Sequence, residues 1–391
     1  MNEPAPPPSS ADPPRAQLSA ALDGCTIVIA VDRRSLELAA ALERHGAQVR
    51  HAPALTIVPH IDDDALVAAT RELIARPPEV VVATTGVGFR GWMEAADEAG
   101  LLDELHAALS RAQIVARGPK ARGAIQQAGL TADWVAESET SAELGEYLLA
   151  EGLDARRVAV QHHGSGADGL DELFQAAGAD VVSLTVYRWG PPPDPAVVSR
   201  SVVATAQGEV DAVLFTSAPG AAEWIAAAAR EGVLEAVVDL SAQGRLLLAA
   251  VGPITAGPLR DVGIAPLVAE RGRLGSLVRA VVTHFGGGHA ASLPTSAGRL
   301  ELRSNGIVLD GRHVPLSRTG ADLLGALFAA GGGVVSRPRL QSSLPRSGEN
   351  THAVEMAVAR LREAIGVPDL IKTVVKRGYR LNVLDPAEAS A

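Results

Sequence analysis

Few side chains in this 391-residue chain are arranged to make or break covalent bonds: it holds no Walker loop, no GxGxxG turn, no zinc-ligand spacing and no nucleophile elbow. The patterns that could do chemistry are a set of small, hydroxylated turns and a cluster of cations near the C-terminus. The turns form a near-repeat. Thr84-Thr85-Gly86 follows an apolar run, and 34 residues on from Thr84 comes Gly118-Pro119-Lys120, leading a helix pattern that closes at Gly129. Thr216-Ser217-Ala218 follows another apolar run, and 36 residues on from Thr216 comes Gly252-Pro253-Ile254-Thr255-Ala256, leading a helix pattern that closes at Gly263. Such turns present backbone N–H groups at a helix N-terminus, where negative charge is favoured. Matched motifs at matched separation argue for two similar lobes rather than for chance turns.

Other candidates are weaker. His162 and His163 raise a metal reading, but neighbours on a strand face opposite ways and no second ligand cluster exists. A surface turn is expected there, with no metal. Gly164-Ser165-Gly166 reads either as an anion cradle or as a plain loop. Asp62-Asp63-Asp64 reads as the start of a helix, whose dipole it favours. Cys25 is the single cysteine, so no intrachain disulfide exists. It reads as a small buried hydrophobe at the start of a strand, and the cytoplasm is the expected compartment.

At the level of elements, apolar residues make up 47% of the chain and aromatics only 3%. Ala, Gly, Leu and Val dominate, which suits α/β domains and excludes wholesale disorder. Residues 1–22 are expected to be a disordered, Pro-rich lead without the apolar core of a signal peptide, and no apolar run reaches membrane-spanning length. From Thr26 onward, strand and amphipathic-helix patterns alternate, predicting parallel sheets covered by helices. Strands are predicted near Val80–Ala83, Ile114–Ala116, Arg157–Gln161, Val181–Tyr187, Ala212–Phe215 and Leu247–Val251. Residues 284–298, with three consecutive glycines, read as a flexible linker. Charge then changes sign. Residues 299–384 hold 13 Lys/Arg against 7 Asp/Glu, a net of +6, so the rest carries −16 of the total of −10. A basic tail on an acidic body is expected where one end meets nucleic acid.

In that basic tail, short strands precede a helix capped by Ser317, a short helix near Leu340 and a third helix over Thr351–Ile365. The third helix has Val354, Val358, Leu361 and Ile365 at core spacing. Lys376-Arg377-Gly378 makes a tight basic turn between two final strands. The segments Val314-Pro315-Leu316-Ser317, Val334-Val335-Ser336, Ala359-Arg360-Leu361-Arg362 and Thr373-Val374-Val375-Lys376-Arg377-Gly378-Tyr379-Arg380 resemble the OmpR/PhoB-type winged helix. The resemblance implies a third helix in the major groove of double-stranded DNA and a wing on the backbone or minor groove. It places base recognition on His352, Glu355 and Arg360, and backbone contact on Thr373, Lys376 and Arg377. Tyr379 is expected to pack the wing, and Arg362 to be a solvated surface charge.

The body, about residues 24–283, resembles uroporphyrinogen-III synthase. The carrying segments are Ala52-Pro53-Ala54-Leu55 with Pro59, the four turns of the near-repeat, and Thr185-Val186-Tyr187-Arg188. The resemblance implies two flavodoxin-like, doubly wound lobes joined by a β connector, with a cleft between them. One lobe is then residues 24–54 with 190–283 and the other 60–185, the chain crossing near Leu55–Pro59 and returning near Val186–Trp189. The family closes hydroxymethylbilane into a macrocycle with loss of water. Holding and orienting the substrate supplies much of such a barrier, which explains turns suited to gripping its carboxylates. Ligand-binding roles fall on Thr85, Gly118, Lys120, Thr216, Ser217 and Gly252, and catalytic ones on Tyr187 and Thr255, with Tyr187 assisting departure of the hydroxyl. No cofactor is implied.

The sequence therefore reads as an α/β body plus a C-terminal winged helix-turn-helix domain over 299–384. The leading function is a DNA-binding transcriptional regulator with a synthase-like body sensing a tetrapyrrole or another polycarboxylate. The alternative is an active uroporphyrinogen-III synthase, a hydro-lyase, carrying a regulatory DNA-binding domain. DNA sites for such modules are often repeats, so a homodimer or a co-regulator is a further partner to expect, and a membrane is not.

Overall fold

Runs of Val, Ile, Leu and Ala too apolar to alternate predict strands buried on both faces, and the sheet centres lie on those runs. The computed structural model describes residues 20–32, 34–59, 64–162, 164, 168–342, 344 and 351–384. The chain divides into two units, residues 1–55 with 192–391, and residues 56–191. The first unit opens with β1 (Thr26–Ile29), α1 (Ser35–Glu43) and β2 (Gln48–His51). The second runs through β3 (Thr56–Pro59), α2 (Asp64–Ala75), β4 (Val80–Ala83), α3 (Gly86–Glu98), α4 (Leu102–Leu109), β5 (Gln113–Ala116), α5 (Pro119–Gln127), β6 (Trp134–Val135), α6 (Ser141–Glu151), β7 (Arg157–Gln161), α7 (Leu170–Ala176), β8 (Asp180–Leu184) and β9 (Tyr187–Gly190). The first resumes with α8 (Pro195–Ala206), β10 (Ala212–Phe215), α9 (Ala218–Arg230), α10 (Leu234–Ala242), β11 (Leu247–Ala250), α11 (Gly257–Asp261), β12 (Leu267–Val268) and α12 (Leu274–Gly286).

Each unit holds an all-parallel sheet of five strands, ordered β12-β11-β10-β1-β2 in the first and β6-β5-β4-β7-β8 in the second. Both orders are doubly wound: strand succession reverses between β1 and β10 in one, and between β4 and β7 in the other. β1, β4 and β10 are buried along their whole length, as strands sandwiched by helices must be. β3 and β9 pair antiparallel, Thr56 opposite Gly190 and Pro59 opposite Tyr187, where the chain crosses out and returns.

After α12 come four antiparallel strands in sequential order, β13 (Ser292–Thr295), β14 (Gly298–Arg303), β15 (Gly306–Leu309) and β16 (Arg312–Pro315). Helices α13 (Arg318–Ala329), α14 (Arg337–Gln341) and α15 (Thr351–Ile365) follow, then the hairpin β17 (Ile371–Val374) and β18 (Gly378–Leu381). Ser317 caps α13, its hydroxyl accepting from the Gly320 N–H at 3.2 Å. Leu323, Leu327, Val354, Val358, Leu361 and Leu381 form part of one buried core, so strands, helices and hairpin make a single module.

Two stretches differ from the sequence reading. Residues 284–298, read as a linker, contain the end of α12 and all of β13, because Leu293 and Leu300 sit opposite each other on β13 and β14. Of the 1–22 lead, residues 1–19 lie outside the described ones, while Ala21 and Leu22 belong to the first unit's core. No helix among the described residues is long and apolar enough to cross a membrane.

The module is held to the first sheet by the β14–β15 turn. Asp211, just before β10, accepts from the Thr26 N–H (2.7 Å) and the Ser304 N–H (2.9 Å), and from the Ser304 hydroxyl. The Asn305 side chain donates to the Thr26 hydroxyl at 2.8 Å. A buried carboxylate is tolerable only when its acceptor sites are filled in this way. These contacts lie at the N-terminal ends of β1 and β10.

Candidate functional site

In open α/β sheets, ligands bind beyond the carboxyl ends of the strands, at the point where strand order reverses. In the second unit that point is flanked by Thr84-Thr85 after β4 and by Gln161-His162 at the end of β7. Thr85 has extended backbone and caps α3, its hydroxyl accepting from the Gly88 N–H at 3.1 Å. The Tyr187 hydroxyl lies 3.4 Å from the same Thr85 oxygen, on a ring that is buried and set edge-on to Trp189. Gly86 could not carry a side chain: a Cβ there would stand 2.3 Å from the Lys120 carbonyl oxygen. That contact joins the turn at Thr85 to the turn at Gly118, which caps α5. Thr85, Gly118 and Tyr187 are thus assembled within one unit. Lys120 also lies there, with an exposed side chain.

Two groups beside this site escaped the sequence reading. Arg117 ends the β5 run, and its guanidinium has its pKa pulled down by burial, opposed by Tyr187, Asp168 and Glu139 nearby. A single arginine closing an apolar strand next to Gly118 was the available signal. The second is His162. Its ring is only 1% exposed, with Nε2 2.9 Å from Asp171 and Nδ1 3.6 Å from Asp168. Burial opposes protonation there, but the two carboxylates outweigh it and raise the imidazole to about 9. This corrects the expected surface turn: one histidine of the pair points inward and finds acidic partners nine or fewer residues on. His163, Asp62, Asp63, Ser165 and Gly166 lie outside the described residues.

The first unit repeats the design. Ser217 follows β10 with the same extended backbone as Thr85 and caps α9, accepting from the Gly220 N–H at 3.2 Å. Seven residues past each cap stands a buried tryptophan, Trp92 or Trp224. Each indole N–H donates to a hydroxyl on a neighbouring helix, Thr70 at 3.0 Å and Ser201 at 3.1 Å. The internal repeat therefore extends into packing that the turn motifs alone did not reveal. Thr216 is half-buried beside Ser217. Thr255 is buried in the turn that precedes α11, and a Cβ on Gly252 would meet only open space. Unlike α5, which starts at Pro119, α11 starts at Gly257, four residues past Pro253.

In the C-terminal module, α15 buries Val354, Val358, Leu361 and Ile365 and turns His352, Glu355 and Arg360 outward. Glu355 is held by Arg337 at 3.5 Å and by His352 at 3.3 Å. The wing exposes Thr373, Lys376 and Arg377. Lys376 takes a left-handed conformation to close the turn, and a Cβ on Gly378 would come 2.0 Å from the Val335 carbonyl oxygen. Tyr379 packs inside the wing, as expected. Arg362 is corrected: it is half-buried, bridges the Ile371 carbonyl and the Thr373 hydroxyl (3.0 Å each), and lies over the Tyr379 ring. It locks helix to wing instead of facing solvent.

Fold and turns define a doubly wound body whose helices start from capped Thr, Ser and Gly turns, followed by a winged helix. Residues 37–279 match the family Uroporphyrinogen-III synthase HemD, and the chain belongs to that family. Residues 311–381 match Transcriptional regulatory protein, C terminal, so a DNA-binding winged helix follows the synthase-like domain. The chain is similar to a mutant uroporphyrinogen III synthase from the extremely thermophilic bacterium Thermus thermophilus, at 31% identity over 66% of this chain and 98% of that one, with a TM-score of 0.53. It is 28% identical to the uncharacterized protein YjjA of Bacillus subtilis (strain 168), over 67% of this chain and 96% of that protein. The DNA-binding domain of E. coli CadC is 30% identical over 24% of this chain and 96% of its own length, with a TM-score of 0.20.

Proposed function

We propose that this protein is a cytoplasmic transcription regulator whose synthase-like body senses a tetrapyrrole or another polycarboxylate. One observation carries the reading: α15 and the wing present His352, Arg360, Lys376 and Arg377 to solvent, although the module is firmly docked on the first sheet. A helix with outward cations beside a basic turn suits a duplex, with phosphates neutralised by Lys and Arg and base edges read by the helix. Glu355, already engaged by Arg337 and His352, acts by orienting those two side chains. Thr85, Gly118, Lys120, Thr216, Ser217 and Gly252 are assigned to holding carboxylates, and the DNA partner is a repeated site bound by two copies.

A second reading, a working synthase, is favoured by Tyr187, whose hydroxyl is positioned by Thr85 on a buried ring. Tyr187 would then assist loss of the substrate hydroxyl, and Thr255 would orient the closing ring.

Two assays on the whole chain separate them. Recovery and sequencing of genomic fragments bound by the protein should return a discrete set of promoter-region sites, and Arg360→Ala should abolish the enrichment. Random genomic coverage with unchanged Arg360→Ala behaviour would sink the regulator. Conversion of hydroxymethylbilane to the type III macrocycle, lost in Tyr187→Phe, would establish the enzyme, and absence of turnover would remove it.

A further inference from the structure

The geometry points to a second small-molecule site, for a monocarboxylate with an apolar body, in the cavity where the winged-helix module meets the first sheet. It encloses about 420 Å³, within the range of small-ligand sites. Neither the switch-point turns nor the DNA-facing residues line this cavity.

Arg245, from the turn before β11, reaches into this joint. Its guanidinium passes through a slot left by two glycines: a Cβ would lie 3.3 Å from Nη2 on Gly208 and 3.5 Å on Gly325. Gly208 belongs to the body and Gly325 to α13, so the slot spans the joint. The Arg245 guanidinium makes no hydrogen bond or ion pair with any described residue. The acids near it are committed elsewhere. Asp211 is filled by Thr26 and Ser304, and Asp322 pairs with Arg318 at 3.0 Å. A second cation lines the same cavity. Arg303 is 2% exposed and bonds Glu301, yet its buried Nε has no hydrogen-bond partner among the described residues. Buried donors without acceptors are costly, and a carboxylate matches a guanidinium fork in shape and charge. Part of the remaining wall is apolar, formed by Phe285, Leu302 and Phe328, while Gln207, His284 and Ser304 add polar groups. Asp211, Asp322 and Glu301 surround the cations, so one negative charge fits and a phosphate dianion does not.

The probe is 4-fluorobenzoate, titrated into the full chain and followed by fluorine NMR, with inorganic phosphate as competitor. Saturable one-to-one binding is expected. Arg245→Gln should weaken it at least tenfold, and Arg245→Lys, which keeps the charge, should weaken it less. Ala326→Met, which fills the cavity without touching a cation, should abolish it. Thr85→Val and Thr255→Val should leave it unchanged, which separates this site from the switch-point turns. No saturable binding to the wild-type chain, equal binding by Arg245→Gln and wild type, or displacement by stoichiometric phosphate would each overturn the assignment.

Discussion

His162 is a buried imidazole between two carboxylates, and its titration should be visible in the stability of the second unit. Its pKa moves from an ordinary 6.5 to about 9 on folding. A raised folded value means the stabilisation is complete below pH 6.5 and is lost as pH rises through 9. The span corresponds to about 3 kcal/mol. Thermal denaturation from pH 6 to 10 should show this decline in the wild type, and His162→Asn should be less stable at pH 6 and lack that pH-dependent loss. An identical pH profile in the variant would show that the pair with Asp168 and Asp171 is not what titrates. Sequence reasoning could see two adjacent histidines. It could not see that His162 faces inward, because Asp168 and Asp171 meet its ring only in the folded chain. Cys25, by contrast, was correctly read as a buried hydrophobe. Burial first, then Asp211, pushes its thiol pKa far up, leaving it inert.

Among elements, the strand-to-helix turns are fixed by close backbone approach. Gly86→Ala drives a methyl group into the Lys120 carbonyl oxygen. Overpacking of this kind costs about 1–3 kcal/mol. Urea denaturation should show that loss. Gly252→Ala, where a Cβ meets open space, should change stability by no more than a few tenths of a kcal/mol. Equal effects would mean that the two turns are not packed as described. The turns themselves were legible as Thr/Ser/Gly motifs at matched spacing. What the motifs did not carry is that Thr85 and Ser217 are helix caps, each followed by Gly three residues on and Trp seven on. That pattern has meaning only once each indole is seen to bond a hydroxyl on another helix.

For the whole molecule, the basic module on an acidic body makes salt dependence the measurable signature of its DNA contacts. Lys376→Ala combined with Arg377→Ala removes two exposed wing cations. If both meet phosphates, the slope of log affinity against log salt should flatten by about 1.8, at about 0.9 per contact. Preference among sequences should change little, since backbone contacts carry no base information. Filter binding across a salt series checks this, and an unchanged slope would exclude the wing from the interface. Asp211→Ala should loosen the module from the first sheet by emptying the acceptor that holds Thr26 and Ser304. It should raise protease sensitivity near residues 286–292 without abolishing the fold of either part.

Strand positions, the doubling of the body and the basic charge of its C-terminal end were legible in the sequence itself, and the winged helix with its outward cations in a resemblance to a known family. The former follow from local pattern: apolar runs for strands between helices, capping residues at helix starts, and basic residues gathered after residue 299. The tertiary structure decided what depends on residues far apart in the chain meeting in space. It put Tyr187 against Thr85, turned His162 inward, converted Arg362 from a surface charge into a brace, and closed a cavity around Arg245. It also replaced a supposed linker with a strand, because Leu293 gains a partner in Leu300 only when the chain turns back on itself. No periodicity encodes such meetings, since their energy comes from contacts between elements and not from the propensities within them.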